Sequence, residues 1–148
     1  FHLTLKFLGD VPIDKTLQIE SVLLDICPNH KDFQIMLQGI GAFPNISDPR
    51  VIWAGIRDEN KLLVKIWSEL ESGLDKLGFS REKRGFSPHL TLGRVKEPTA
   101  GLTDMIQPLQ NFNITVPVKE IKLMSSRLSR NGPEYSCINS FILQEHLT

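Results

Sequence analysis

The chain has 148 residues, enough for one compact folding domain and too few for two of ordinary size. An apolar content of 41% excludes a disordered chain, and seventeen basic residues against seventeen acidic ones exclude a protein that coats duplex nucleic acid by bulk charge. Two cysteines, Cys27 and Cys137, are too few for a disulfide framework or a zinc cluster; they read as reduced, mostly buried thiols of a cytoplasmic protein. No apolar run approaches the ~20 residues that span a membrane, and no signal-peptide pattern opens the chain, so no membrane association is expected.

In chain order, residues 1–8 (F-H-L-T-L-K-F-L) alternate with period two and are rich in β-formers, which predicts a strand ended by Gly9-Asp10-Val11-Pro12. Asp14 is placed to cap a helix running to about Cys27, with Leu17, Val22, Leu23 and Ile26 on its apolar side. Phe33 to Phe43 and Val51 to Ile56 read as strands joined by the turn-rich segment Pro44 to Pro49. Leu62, Leu63, Ile66, Trp67, Leu70, Leu74 and Leu77 follow helical spacing, and Gly78 stands where a C-terminal cap belongs.

A charged loop, Ser80 to Gly85, leads through Phe86 into a strand from Pro88 to Val95. Beyond Pro98 come a short helix (Leu102 to Leu109), strands Phe112 to Val118 and Glu120 to Leu128, a turn at Asn131-Gly132-Pro133, and a closing strand Tyr135 to Leu143. Helices interleaved with strands at hairpin spacing predict an α+β domain with antiparallel pairing.

The internal repeat carries the chemistry. His2-Leu3-Thr4-Leu5 recurs as His89-Leu90-Thr91-Leu92, and each copy is followed by a glycine, Gly9 or Gly93. Residues i and i+2 of a strand share a face, so each copy presents one imidazole beside one hydroxyl and turns its leucines the other way. A single His-x-Thr in a strand means little; two in matching contexts can converge on one centre. Imidazole titrates near neutrality (reference pKa ~6.5), so one ring can take a proton from water while the other, protonated, gives one to a departing alkoxide. The threonine hydroxyls can hydrogen-bond non-bridging phosphate oxygens. His-x-Thr is poor spacing for metal ligands, and no metal or cofactor is expected.

On these residues the chain resembles the 2H phosphoesterase superfamily, specifically its RNA 2′,3′-cyclic phosphodiesterases, historically called 2′-5′ RNA ligases. His2 to Gly9 is similar to the first signature of that family and Phe86 to Arg94 to the second. Gly39 to Pro44 and Arg50 to Gly55 resemble its middle strands, and Ser126 to Tyr135 its C-terminal hairpin. The resemblance implies a bilobal α+β fold, 1–148 as a single domain, with two antiparallel sheets related by pseudo-twofold symmetry around a central cleft and helices outside. It also implies a strand and helix ahead of the first motif, which this sequence does not contain.

The activity implied is hydrolysis of an RNA-terminal 2′,3′-cyclic phosphate to a 2′-phosphate, with ligation as the reverse. His2 and His89 are the catalytic pair and Thr4 and Thr91 hold the phosphate. By the family's pattern His2 is the acid and His89 the base, an order the near-symmetric copies do not fix. The family places an arginine at Arg94 near the phosphate; three residues beyond Thr91 it shares that face only if the strand carries a bulge at Gly93.

Lys6, Phe7, Phe86 and Tyr135 are candidates for substrate contact: Lys6 through charge, Phe7 and Phe86 through base stacking. Arg81, Lys83 and Arg84 read as a solvated loop, and His30 and His146 as bystanders. The expected partners are RNA 3′ ends, tRNA among them, or small cyclic nucleotides, met by a monomer with no obligate protein partner. A non-catalytic module that binds nucleotides or RNA ends through the same cleft is the alternative from another class.

Overall fold

The strongly patterned segments become the regular elements: α1 (Ile13–Ile26), β1 (Phe33–Pro44), β2 (Pro49–Arg57), α2 (Leu62–Asp75), β3 (His89–Arg94), α3 (Leu102–Ile106), β4 (Asn113–Val118), β5 (Glu120–Ser129) and β6 (Gly132–Ile142). Short 3-10 turns stand at Cys27–Asn29 and Gln107–Asn111. The structure is a computed structural model that describes residues 2–97, 101–129 and 132–145. The chain divides into two units, crossing between them five times along its length. The result is the expected α+β architecture with two antiparallel sheets.

The first unit comprises residues 2–7, Gln34–Val64 and Gly85–Pro117. Its sheet runs in the order β3-β2-β1-β4, with β1–β2 and β2–β3 antiparallel. Register assigns the two faces. Ile40, Ala42, Ile52, Ala54 and Leu90 are opposed on one face, where Ala54 is 1% exposed and Ala42 is buried. The other face carries Gly41, Phe43, Val51, Trp53, Gly55, His89 and Thr91. One face therefore supplies a core and the other is free for chemistry.

Two of the three register shifts in this sheet fix which residues share a face. Gly39, at φ +63°, is the extra residue between the Gln38–Gly55 and Ile40–Ala54 pairs, and glycine takes that backbone conformation without strain. On β3, Trp53 opposes Thr91 and Ile52 opposes Gly93, so Leu92 is extra and stands 38% exposed instead of in the core.

The second unit comprises 8–33, 65–84 and 118–145: α1, most of α2 and the β5–β6 hairpin. Ile19, Leu23 and Ile26 of α1, Ile66, Leu70 and Leu74 of α2, and Phe141 and Leu143 are among its buried side chains. A Cβ at Gly73 would lie 2.5 Å from Val22, so the absence of a side chain lets the helices meet. Helix α2 ends as its sequence requires. Gly78 has φ +89°, its N–H bonds Asp75 O and the Phe79 N–H bonds Leu74 O, a Schellman closure.

Several expectations are corrected. Residues 2–8 join no strand, because alternation defines two sides of a chain whereas a strand also needs a hydrogen-bonded neighbour. The alternation itself survives from 2 to 5, with His2 and Thr4 exposed and Leu3 and Leu5 half-buried. Pro12, not Asp14, holds the cap position of α1; Asp14 sits in the first turn, favourably placed against the helix dipole. Leu17 points to solvent, since the buried stripe passes through Ile19, Leu23 and Ile26.

The helix at 102 stops at Ile106, and Pro108 continues the chain in a 3-10 turn because it has no N–H to give an α-helix. Gly132 and Pro133 belong to β6, whose first residue pairs with Ser129; Asn131 and His146 lie outside the described residues. Cys137 is exposed, because β6 in its two-stranded sheet is covered far less than a central strand.

Candidate active site

β3 displays the second motif on the uncovered face of its sheet. His89 opposes Gly55 and Thr91 opposes Trp53, and both β2 positions are two apart, so imidazole and hydroxyl lie side by side. The Leu92 bulge then changes the parity. Arg94 opposes Val51, which shares the face of Trp53 and Gly55, so the guanidinium is carried round to the side of His89 and Thr91. The bulge required for Arg94 is thus present, with Leu92 as the extra residue. Beyond Arg94 an open depression is lined by Arg94, Val95, Lys96, Glu97 and Leu102.

His89 Nδ1 lies 2.9 Å from the carbonyl of Ser87. A carbonyl only accepts, so the neutral ring carries its proton on Nδ1 and keeps the lone pair on Nε2. That tautomer suits a group that must take a proton at Nε2. The rings of Phe43 and Trp53 flank the imidazole, with centroids 5.3 and 6.3 Å from it. Trp53 lies across β1 because Gly41 has no side chain; a Cβ there would collide with the indole. A Cβ on Gly55 would fall 2.6 Å from the Gln38 carbonyl, so the position opposite His89 also stays bare.

The first motif lies in the same unit, with His2 and Thr4 both exposed. Lys6 is half-buried and breaks the alternation it was expected to continue, while Phe7 is 74% exposed. Phe86 is half-buried at the entry to β3. Tyr135 belongs to the second unit, on β6 opposite Ser126. Of the loop cations, Arg81 is held by Asp75 at 3.1 Å. His30 is buried, with Nε2 2.7 Å from Glu69 Oε2, a structural pair in the second unit.

Sequence reasoning missed Phe43, Trp53 and Ser87. The signal that would have found the first two is the pair of glycines, Gly41 and Gly55, inside strand patterns, since such glycines mark close approach of another group.

An antiparallel sheet presenting imidazole, hydroxyl and guanidinium on one face, in a unit that carries a second His-x-Thr segment, defines an α+β protein built for phosphate esters. The profile of the 2′-5′ RNA ligase superfamily matches residues 1–130, and the chain belongs to that family. An RNA 2′,3′-cyclic phosphodiesterase of Methanocaldococcus jannaschii is 40% identical over 95% of this chain and 79% of its own length. One from Methanothermobacter thermautotrophicus is 38% identical over 96% and 78%. Among solved structures, TT0787 of Thermus thermophilus superposes with a TM-score of 0.84 at 28% identity, over 98% of this chain and 79% of that one. Escherichia coli LigT complexed with 3′-AMP gives 0.73 at 27%, over 96% and 76%.

Proposed function

We propose that this protein hydrolyses RNA-terminal 2′,3′-cyclic phosphates to 2′-phosphates through a metal-independent pair of histidines, His2 and His89. The observation that carries the reading is the β2–β3 register, which gathers His89, Thr91 and Arg94 on one open face. Relatives named RNA 2′,3′-cyclic phosphodiesterase support the substrate class.

The Nε2 lone pair of His89 accepts a proton from water as the water oxygen bonds to phosphorus. The P–O3′ bond breaks, and protonated His2 gives its proton to the departing 3′-oxygen. Thr4 and Thr91 donate hydrogen bonds to the non-bridging oxygens, and Arg94 adds charge where the transition state accumulates it. The phosphate stays on O2′. Ligation is the same displacement with an RNA 5′-hydroxyl in place of water: His89 takes the hydroxyl proton, the P–O3′ bond breaks, His2 protonates O3′, and a 2′-5′ phosphodiester results. Phe7, Phe86, Lys6 and Tyr135 are candidate contacts for the rest of the substrate, an RNA 3′ end such as that of a cleaved tRNA, or a cyclic mononucleotide.

Both motifs reside in one unit of one chain, which supports a site complete in the monomer. The five crossings of the chain between its units support reading 1–148 as one domain. Among the described residues no helix is long and apolar enough to cross a membrane. Cys27 and Cys137 stand as free thiols, which fits the cytoplasm.

The test is replacement of each histidine. His2→Ala and His89→Ala are each expected to lower kcat on a nucleoside 2′,3′-cyclic phosphate by at least ~10²-fold, the lower range for acid–base catalysis. The wild-type rate should trace a bell against pH. Full turnover by His89→Ala would contradict the mechanism, and a protein that binds 2′-phosphates without ever turning over cyclic substrate would be a binding module.

A further inference from the structure

The imidazole of His89 is held by more than one contact. Its bond to Ser87 fixes a single ring atom and leaves the plane free to swing about that bond. The plane is constrained by aromatic rings. Phe43 meets His89 at an interplanar angle of 80° and Trp53 meets it at 61°, while Phe43 and Trp53 lie 5.3 Å apart at 34°. Trp53 is placed by packing: its indole lies across Gly41, and its buried Nε1 has no hydrogen-bond acceptor among the described residues. Phe43 is 43% exposed, so little of its ring serves the core. It comes from β1, two strands away from β3, and spans β2 to reach the imidazole.

We propose that Phe43, backed by Trp53, is a positioning residue that fixes the ring plane of His89 and so aims Nε2 at the reacting phosphate. This rests on the reading of His89 as an acid–base residue. Edge-to-face ring pairs hold a defined geometry that an aliphatic side chain of similar size does not reproduce. Acid–base transfer is steep in geometry, so a loosened imidazole lowers the chemical step more than it lowers substrate binding.

The test compares Phe43→Leu, Phe43→Met and Phe43→Tyr with the wild-type chain. On a nucleoside 2′,3′-cyclic phosphate, Phe43→Leu and Phe43→Met should each lose roughly tenfold in kcat with KM changed by less than about twofold, and Phe43→Tyr, which keeps the ring, should recover most of the loss. NMR relaxation of ring-labelled histidine, with His89 assigned by His89→Gln, should show a rigid imidazole in the wild type and a mobile one in Phe43→Leu. A rise in KM at unchanged kcat would overturn the proposal, as it would make Phe43 a substrate platform. So would a Phe43→Tyr as slow as Phe43→Leu, or an imidazole mobility indifferent to position 43. If the wild-type chain turned over no cyclic phosphate, the functional reading would fail by itself, and the NMR signals would still decide whether Phe43 orders the ring.

Discussion

Arg94 and Cys27 show how a single residue's surroundings decide what it does. The guanidinium of Arg94 reaches the side of His89 and Thr91 only through the register of its strand. Removing its charge with Arg94→Met should weaken binding of a nucleoside 2′-phosphate by roughly ten- to a hundredfold, the ~1.5–3 kcal/mol of a hydrogen bond to a charged group. Isothermal titration of the product would measure it. Cys27 is buried, and burial pushes its thiol up to about 11. The uncharged form is the one favoured, so Cys27 should stay inert to Ellman's reagent near pH 8 and gain reactivity only as pH climbs toward its raised value. Cys137 is exposed and should supply the single fast equivalent, which Cys137→Ser removes. Residue by residue, the sequence made His89 and Thr91 legible because their two-residue spacing needs nothing beyond strand geometry. The Ser87 carbonyl was illegible, since any backbone offers one and only folding selects it.

Among the elements, β3 departs from a regular ladder at one point, and that departure decides where Arg94 points. Leu92 opposes no residue of β2, and this one insertion turns Arg94 to the side of His89. Deleting Leu92 should restore regular pairing and leave Arg94 opposite Val51, now two residues beyond Thr91 and still on the side of His89, so product binding should stay within about twofold of wild type. The same titration would check it, and product binding weakened as much as by Arg94→Met would contradict it. Helix α2 was legible to its last turn, because periodic leucines and a terminal Gly78 state both the face and the stop. Residues 2–8 were misread as a strand because a period of two records which side chains are covered and not whether a neighbour bonds the backbone. Leu17 was misplaced on α1 for a related reason: spacing gives a stripe, but the packing partner chooses which stripe is buried.

For the whole molecule, the α+β class and its strands were readable from alternating and helical periods, whereas the division into two interleaved units was not. Contacts between segments far apart in sequence, such as β2 with β3 or α1 with α2, decide that division, and periodicity carries no long-range term. The twin His-Leu-Thr-Leu was readable both as a duplication and as two imidazole–hydroxyl pairs, whereas the side on which Arg94 stands emerged only with the register. The central claim is a metal-free opening of a terminal cyclic phosphate at the P–O3′ bond. It is tested most directly by incubating the chain with an oligonucleotide ending in a 2′,3′-cyclic phosphate, in excess EDTA, and assigning the product by phosphorus NMR. The expected product is the 2′-phosphate alone. No turnover under EDTA, or a 3′-phosphate, would contradict the claim.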